Sequence, residues 1–197
     1  MTILYCDDGL VACVKPVGMD SESEFPAALK ECLGGEFFPI HRLDKNVGGV
    51  MVYARTKTAA ATLSRAVQEG QMIKEYVAMV HGTPPETGDW EDFLFKDSRK
   101  NKVFVVKRQR TGIKEARLTY RRETAGEQSL VRIRLYTGRS HQIRVQFASR
   151  GFPLVGDHKY GSRDAAEAPM LFSCCISFPY QGALQRFEVL PEWGKPE

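Results

Sequence analysis

Short apolar runs of strand length dominate this chain, and they do not alternate regularly with helical ones. Strand-like runs stand at 3–5, 10–15, 50–54, 73–80, 103–107, 115–121, 129–136, 170–178 and 184–190. The pattern is clearest in SLVRIRLY, where Leu130, Ile133 and Leu135 stand against Arg132 and Arg134. Helical spacing is confined to three places. One is 26–33, closed by Gly34-Gly35. The second is 57–69, where Ala59, Ala60, Leu63, Ala66 and Val67 share a face and Gly70 follows. The third is 139–150, where Gly151 just past the end favours helix over strand. A doubly wound parallel sheet needs strands and helices in regular alternation, so the pattern predicts an α+β fold.

At 197 residues the chain has the length of one domain, or of one domain with two lobes. No repeat or low-complexity linker interrupts it. The Pro84-Pro85 and Gly88 stretch is the expected lobe boundary, and 86–102 is read as loop. Hydrophobic residues make up 43% and charged residues 26%, which excludes whole-chain disorder, collagen and coiled coil. No apolar run approaches the ~20 residues of a membrane span. The opening MTILYCDDGLVACVKP carries Asp7 and Asp8 inside its apolar stretch, unlike a secretory signal. Five cysteines, Cys6, Cys13, Cys32, Cys174 and Cys175, cannot all pair, and none forms a C-x-x-C. They read as reduced thiols of a cytoplasmic protein.

Charge is distributed unevenly. From Lys96 to Arg122 there are eleven basic residues against Asp97 and Glu115, although the whole chain carries only +4. One strongly positive region on a nearly balanced chain points to a polyanionic partner. A solvated hairpin is the plainer alternative.

Polar residues gather in two clusters. PIHRLDKNVGG (39–49) places His41, Arg42, Asp44, Lys45 and Asn46 ahead of a glycine pair that opens a buried strand. Asp44 is the only carboxylate between Glu36 and Glu69, and its flanking cations favour the ionised form. Such a carboxylate can act as a nucleophile. It can equally cap a turn or pair with Arg42 or Lys45. YTGRSHQIRVQF (136–147) brings Arg139, Ser140, His141, Gln142 and Arg144 to the end of a strand, where amides and arginines suit phosphate. Arg144 follows Ile143 in the apolar pattern, so it either turns inward toward a carboxylate or snorkels to the surface. His41 and Asp44 stand three apart, but no H-E-x-x-H or clustered His/Cys pattern exists, and no bound metal is expected.

HRLDKNVGGVMVYART (41–56), KEYVAMVHG (74–82) and LYTGRSHQIRVQFASRGFPLVGDHKYG (135–161) resemble, in order and spacing, the three motif regions of RluA-type pseudouridine synthases. VACVKPVGM (11–19) resembles the K-P-x-G segment that precedes them. The resemblance runs from about residue 3 to residue 190. It implies a mixed, mostly antiparallel sheet in two lobes with a central active-site cleft. It also implies an isomerisation of uridine in ribosomal or transfer RNA. The base is detached from its ribose, turned and rejoined through carbon 5, with no metal or organic cofactor.

By the same resemblance Asp44 is the essential aspartate and Tyr76 the tyrosine that stacks on the target base. Arg144 is the basic residue paired with the aspartate, expected within salt-bridge range of Asp44. Arg42 fills the space left by the flipped nucleotide. His41, Arg139, His141 and Gln142, with Lys107 and Arg108 of the basic stretch, are the expected RNA contacts. Val47-Gly48 stands where the family commonly has Thr-Ser, and Gln146 where it often has His. The expectation is a stand-alone catalytic domain over 1–197, a monomer without an N-terminal RNA-binding domain. The competing readings are a catalytically silent RNA-binding protein of the same fold, and a metal-dependent phosphoesterase built on His41 and Asp44.

Overall fold

A turn at Asp7–Gly9 reverses the chain between β1 (Thr2–Cys6) and β2 (Leu10–Lys15). The Asp7 carboxylate accepts from the amides of Gly9 and Leu10 at 2.8 and 2.7 Å, which gives the turn's donors a partner. Next come α1 (Glu24–Leu33), the two-residue β3 (Phe38–Pro39), β4 (Gly48–Ala54) and α2 (Lys57–Gln68). β5 (Ile73–His81), β6 (Thr87–Asp97), β7 (Lys102–Val106), β8 (Ile113–Arg122) and β9 (Gln128–Leu135) follow in succession. The chain continues through α3 (Gln142–Ala148), β10 (Leu171–Tyr180) and β11 (Ala183–Glu188). This computed structural model describes residues 1–195. It divides into two units, Met1–Lys74 with Phe172–Leu190, and Glu75–Leu171 with the segment from Pro191 onward. The division falls at Lys74/Glu75 and Leu171/Phe172, not at the 84–88 stretch that the sequence suggested.

In the first unit β4 is the spine, buried along its whole length. β2 pairs antiparallel with it from Lys15↔Gly49 to Leu10↔Ala54. Its other edge is shared. β10 runs parallel at Gly48 and Gly49, and β3 pairs antiparallel at Tyr53 and Ala54. Between them side chains stand in for a strand: Ser173 Oγ donates to Val50 O at 3.1 Å, and Val52 N donates to His41 Nε2 at 3.2 Å. α2, capped by Thr56 Oγ1 accepting from Ala59 N, lays Ala59 and Leu63 on Leu10, Ala12, Val50, Val52, Ile176 and Phe178. α1 covers the opposite face, with Phe25 against Tyr53 at 5.9 Å between ring centroids.

In the second unit the strand order is β5-β9-β8-β6-β7. β6 was read from sequence as loop, yet it is an eleven-residue strand paired with β8 from Thr87↔Arg121 to Phe95↔Ile113. The apparent breaker Gly88 sits directly opposite Tyr120, and a Cβ there would lie 2.2 Å from the Tyr120 ring. The glycine is where the ring lies. Trp90, Tyr120 and Phe147 then close into a cluster with centroids 4.6–5.1 Å apart. Leu94, Val103, Ala116 and Val145 form the neighbouring core, so α3 packs on this face of the sheet. No helix among the described residues is long and apolar enough to cross a membrane.

Candidate active site

Asp44 lies in the connection from β3 to β4, and its two chain neighbours are both pinned. The Leu43 carbonyl accepts from Ser21 Oγ at 2.9 Å, and the Ser21 carbonyl in turn accepts from the Tyr53 hydroxyl at 2.8 Å. The Lys45 carbonyl accepts from Gly18 N at 2.8 Å and from Lys15 Nζ at 3.4 Å. Val47 N donates to the Asp44 carbonyl at 2.9 Å, closing a turn ahead of the glycine pair. Asp44 is therefore carried on a short loop with little backbone freedom, which is how a reactive side chain is held in place.

Lys15 is the residue that sequence reasoning passed over. Its side chain is wholly buried, and the ammonium donates to the carbonyls of Pro16 and Met19, each at 2.8 Å, besides Lys45. Burial lowers its pKa to about 8, opposed by the carboxylates of Asp20, Asp44 and Glu24. The signal was present: a lysine ending a fully apolar strand just before Pro16-Val17-Gly18. The cations beside Asp44 turn elsewhere. Arg42 pairs with Glu22 at 3.3 Å and Lys45 with Glu24 at 2.8 Å.

His41 serves the fold of this loop. Burial, then the charge of Lys74, lowers its pKa to about 3, so the imidazole is neutral. A neutral ring that accepts at Nε2 carries its proton on Nδ1, and that buried nitrogen has no hydrogen-bond partner among the described residues. Among the described residues no three His, Cys, Asp or Glu side chains gather as metal ligands.

In the second unit Arg144 turns inward, as its place in the apolar pattern suggested. Nε donates to Asp157 Oδ2 at 2.6 Å and Nη2 to Asp157 Oδ1 at 2.8 Å, with the two side chains 3% and 1% exposed. The sequence reading had not singled out Asp157. A carboxylate in the Gly-bounded run GDHKYG was the available signal. The Tyr160 ring lies 5.2 Å from the Arg144 guanidinium. The Tyr160 hydroxyl accepts from Val103 N at 2.9 Å and lies 2.9 Å from His141 Nδ1. His141 adopts left-handed backbone geometry, φ 51°, at the start of α3. That conformation is uncommon for a residue with a Cβ and concentrates at functional sites.

The other sequence candidates divide by exposure. Tyr76, on β5, is buried. Gln142 is also buried. Its amide oxygen accepts from Thr137 Oγ1 and Arg139 N, and its amide nitrogen donates to Arg117 O. Gln142 thereby builds the turn that presents Arg139. Arg139 is exposed, with Nε donating to Glu115 O at 2.8 Å. Lys107 and Arg108 are exposed in the β7–β8 turn. The segment carrying Asp157 and Tyr160 is tied down by Asp164, whose carboxylate accepts from Ser162 Oγ, Gly156 N and His81 Nε2. Those bonds hold its carboxyl well below the usual range.

A family model described as RNA pseudouridylate synthase matches residues 9–149. The chain belongs to that family. Among curated relatives, an uncharacterized RNA pseudouridine synthase of Aquifex aeolicus is 32% identical, over 96% of this chain and 69% of its own length. The tRNA pseudouridine synthase C of Haemophilus ducreyi is 30% identical, over 96% and 89%. An uncharacterized RNA pseudouridine synthase of Chloroflexus aurantiacus is 42% identical over 66% of this chain, a match that spans 42% of that relative. Among solved structures, human RNA pseudouridylate synthase domain containing 4 superposes with a TM-score of 0.82 at 23% identity, over 98% of this chain and 90% of that one. That likeness carries the fold, and the mixed, mostly antiparallel α+β synthase architecture expected from the sequence stands. The family match contains both the Asp44 loop and the helix that bears Arg144.

Proposed function

We propose that this chain isomerises uridine to pseudouridine in ribosomal or transfer RNA. The observation that carries the reading is Asp44, held within the family match on a loop braced on both sides by the Lys15–Ser21 segment. In this reading the ionised Asp44 carboxylate attacks the target nucleotide and the bond from ribose C1′ to N1 breaks. The freed base turns and a new bond forms from C1′ to C5 as the bond to Asp44 breaks; the C5 hydrogen leaves as a proton and N1 takes one up. No electrons are gained or lost, so the proposed chemistry uses no redox carrier. Tyr76 stacks on the extruded base. Arg144 supplies positive charge to the aspartate, with Asp157 fixing its orientation. Arg42 occupies the place the base leaves.

Extrusion costs a few kcal/mol of stacking and pairing, which favours loop or weakly paired targets. Arg139, His141, Lys107 and Arg108 contribute phosphate contacts that offset it. His41 and Gln142 act through the loops they hold. In this reading the protein works as a monomer in the cytoplasm, in keeping with an odd number of cysteines and no C-x-x-C in its sequence.

The test is tritium release from RNA labelled at C5 of uridine, with ribosomal and transfer RNA pools offered separately. Release by the wild type and none by Asp44→Asn is expected. Binding without release from either pool would favour the silent RNA-binding reading.

A further inference from the structure

The face of the β6–β7–β8–β9 sheet that points away from the core carries exposed aromatic rings among its charged residues, where a solvated face is ordinarily polar throughout. In β6, Leu94 points into the core, so Phe93 and Phe95 point outward. Phe95 stands directly opposite Phe104 of β7 on one side and Ile113 of β8 on the other. Phe95 is 44% exposed and Phe104 37%. Further along the same face Tyr136, 49% exposed, lies between two guanidinium groups, Arg117 at 4.8 Å and Arg134 at 5.2 Å. A cavity of about 530 Å³ lined by Phe93, Glu115, Arg117 and Tyr136 lies between the two aromatic stations. Lys102 Nζ is 5.8 Å from the Phe104 ring, and Lys107, Arg108 and Arg110 are exposed around the adjoining turn.

We propose that this outer face is a second RNA-binding surface, on which unpaired bases of the substrate stack on Phe95/Phe104 and on Tyr136 while the surrounding cations hold their phosphates. The inference rests on the reading that the chain's partner is RNA. Two observations choose RNA over a protein. Exposed rings flanked by cations are how single strands are held without sequence preference, since every base has a π-face. The cores of protein interfaces, by contrast, are depleted of charge, and here both aromatic stations carry a cation within 6 Å.

The experiment uses full-length protein and a fluorescent single-stranded oligouridylate, which neither pairs nor stacks strongly on itself, with an RNA duplex as control. Phe95→Ala/Phe104→Ala and Tyr136→Ala are each expected to weaken oligouridylate binding about tenfold and to leave the slope of affinity against salt unchanged. Phe104→Tyr keeps a ring and is expected to bind like wild type. Lys107→Ala/Arg108→Ala lowers the salt slope instead. Oligouridylate affinity unchanged in both aromatic variants would overturn the proposal. So would a concentration-dependent dimer that the same substitutions disperse, because the face would then be occupied by a second copy of the chain. Tritium release separates the two readings. Release that persists while oligouridylate binding ignores the aromatic variants removes this surface and leaves the enzyme. Ring-dependent binding without release leaves the surface and removes the enzyme.

Discussion

Arg144 and Asp157 meet side-on, Nε to Oδ2 at 2.6 Å and Nη2 to Oδ1 at 2.8 Å, with neither side chain reaching solvent. Asp157 is therefore one part of the fold that sets the plane of the Arg144 guanidinium. Removing it leaves a buried cation without its two-pronged acceptor. Asp157→Ala is expected to lose about 3–5 kcal/mol of stability by urea denaturation. Asp157→Asn, which keeps one acceptor oxygen, loses less. In the folded Asn variant, turnover in tritium release should fall about a hundredfold through misplacement of Arg144, with RNA affinity little changed. An Asn variant that turned over normally would show that Arg144 needs no orienting partner.

Lys15 ties three backbone carbonyls together with one ammonium, and the Asp44 loop is one of the pieces tied. Lys15→Met keeps most of the stem but leaves those acceptors without a donor. Each buried unsatisfied group costs about 1–3 kcal/mol, so a loss of roughly 3 kcal/mol or more is expected in the denaturation midpoint. Lys15→Arg is not a rescue, because a planar fork cannot occupy the site of a compact ammonium.

The imidazole of His41 gives stability a pH dependence of definite sign. In the unfolded chain it protonates near its ordinary value of 6.5, and in the fold only near 3. Between those values the unfolded state binds the extra proton. The contribution is therefore complete above pH 6.5 and is lost as pH falls, by up to about 1.4 kcal/mol per unit. Denaturation midpoints taken from pH 7 down to 4.5 should fall in wild type and flatten in His41→Asn. An equal slope in both would assign the dependence to other groups.

Gly49 has φ of +130°, and a Cβ there would lie 2.4 Å from the carbonyl oxygen and 2.5 Å from the amide nitrogen of Ser173. Those are backbone atoms of the paired strand β10 and cannot step aside. Gly49→Ala should cost roughly 3 kcal/mol or more, read as a lowered melting temperature or as insoluble protein. The same substitution at Gly151, with open space around it, meets only backbone strain and serves as the comparison.

What the sequence disclosed follows from how local each cause is. The buried strand β4 and the amphipathic α2 were visible because their apolar periodicity is contained within a few residues. The inward turn of Arg144 was visible for the same reason. β6 was not, because Gly88 and its neighbouring carboxylates have the chemistry of a loop, and only the Tyr120 ring from another strand explains the glycine. In sequence Lys15 reads only as the end of a strand, because its acceptors, Met19 and Lys45, are brought to it by the fold. The Gly-bounded run around Asp157 marks it only weakly, because its partner is thirteen residues away on a helix.

The interrupted edge of β4 has a consequence for observing the protein in solution. The Val52 amide is held by an imidazole from the Asp44 loop, whereas two residues further on Ala54 is paired with Phe38 of β3. Its hydrogen can exchange with deuterium whenever His41 swings away, without the sheet coming apart. Protection at this single amide is thus a clock for excursions of the loop that bears Asp44, separate from the slower one set by global unfolding.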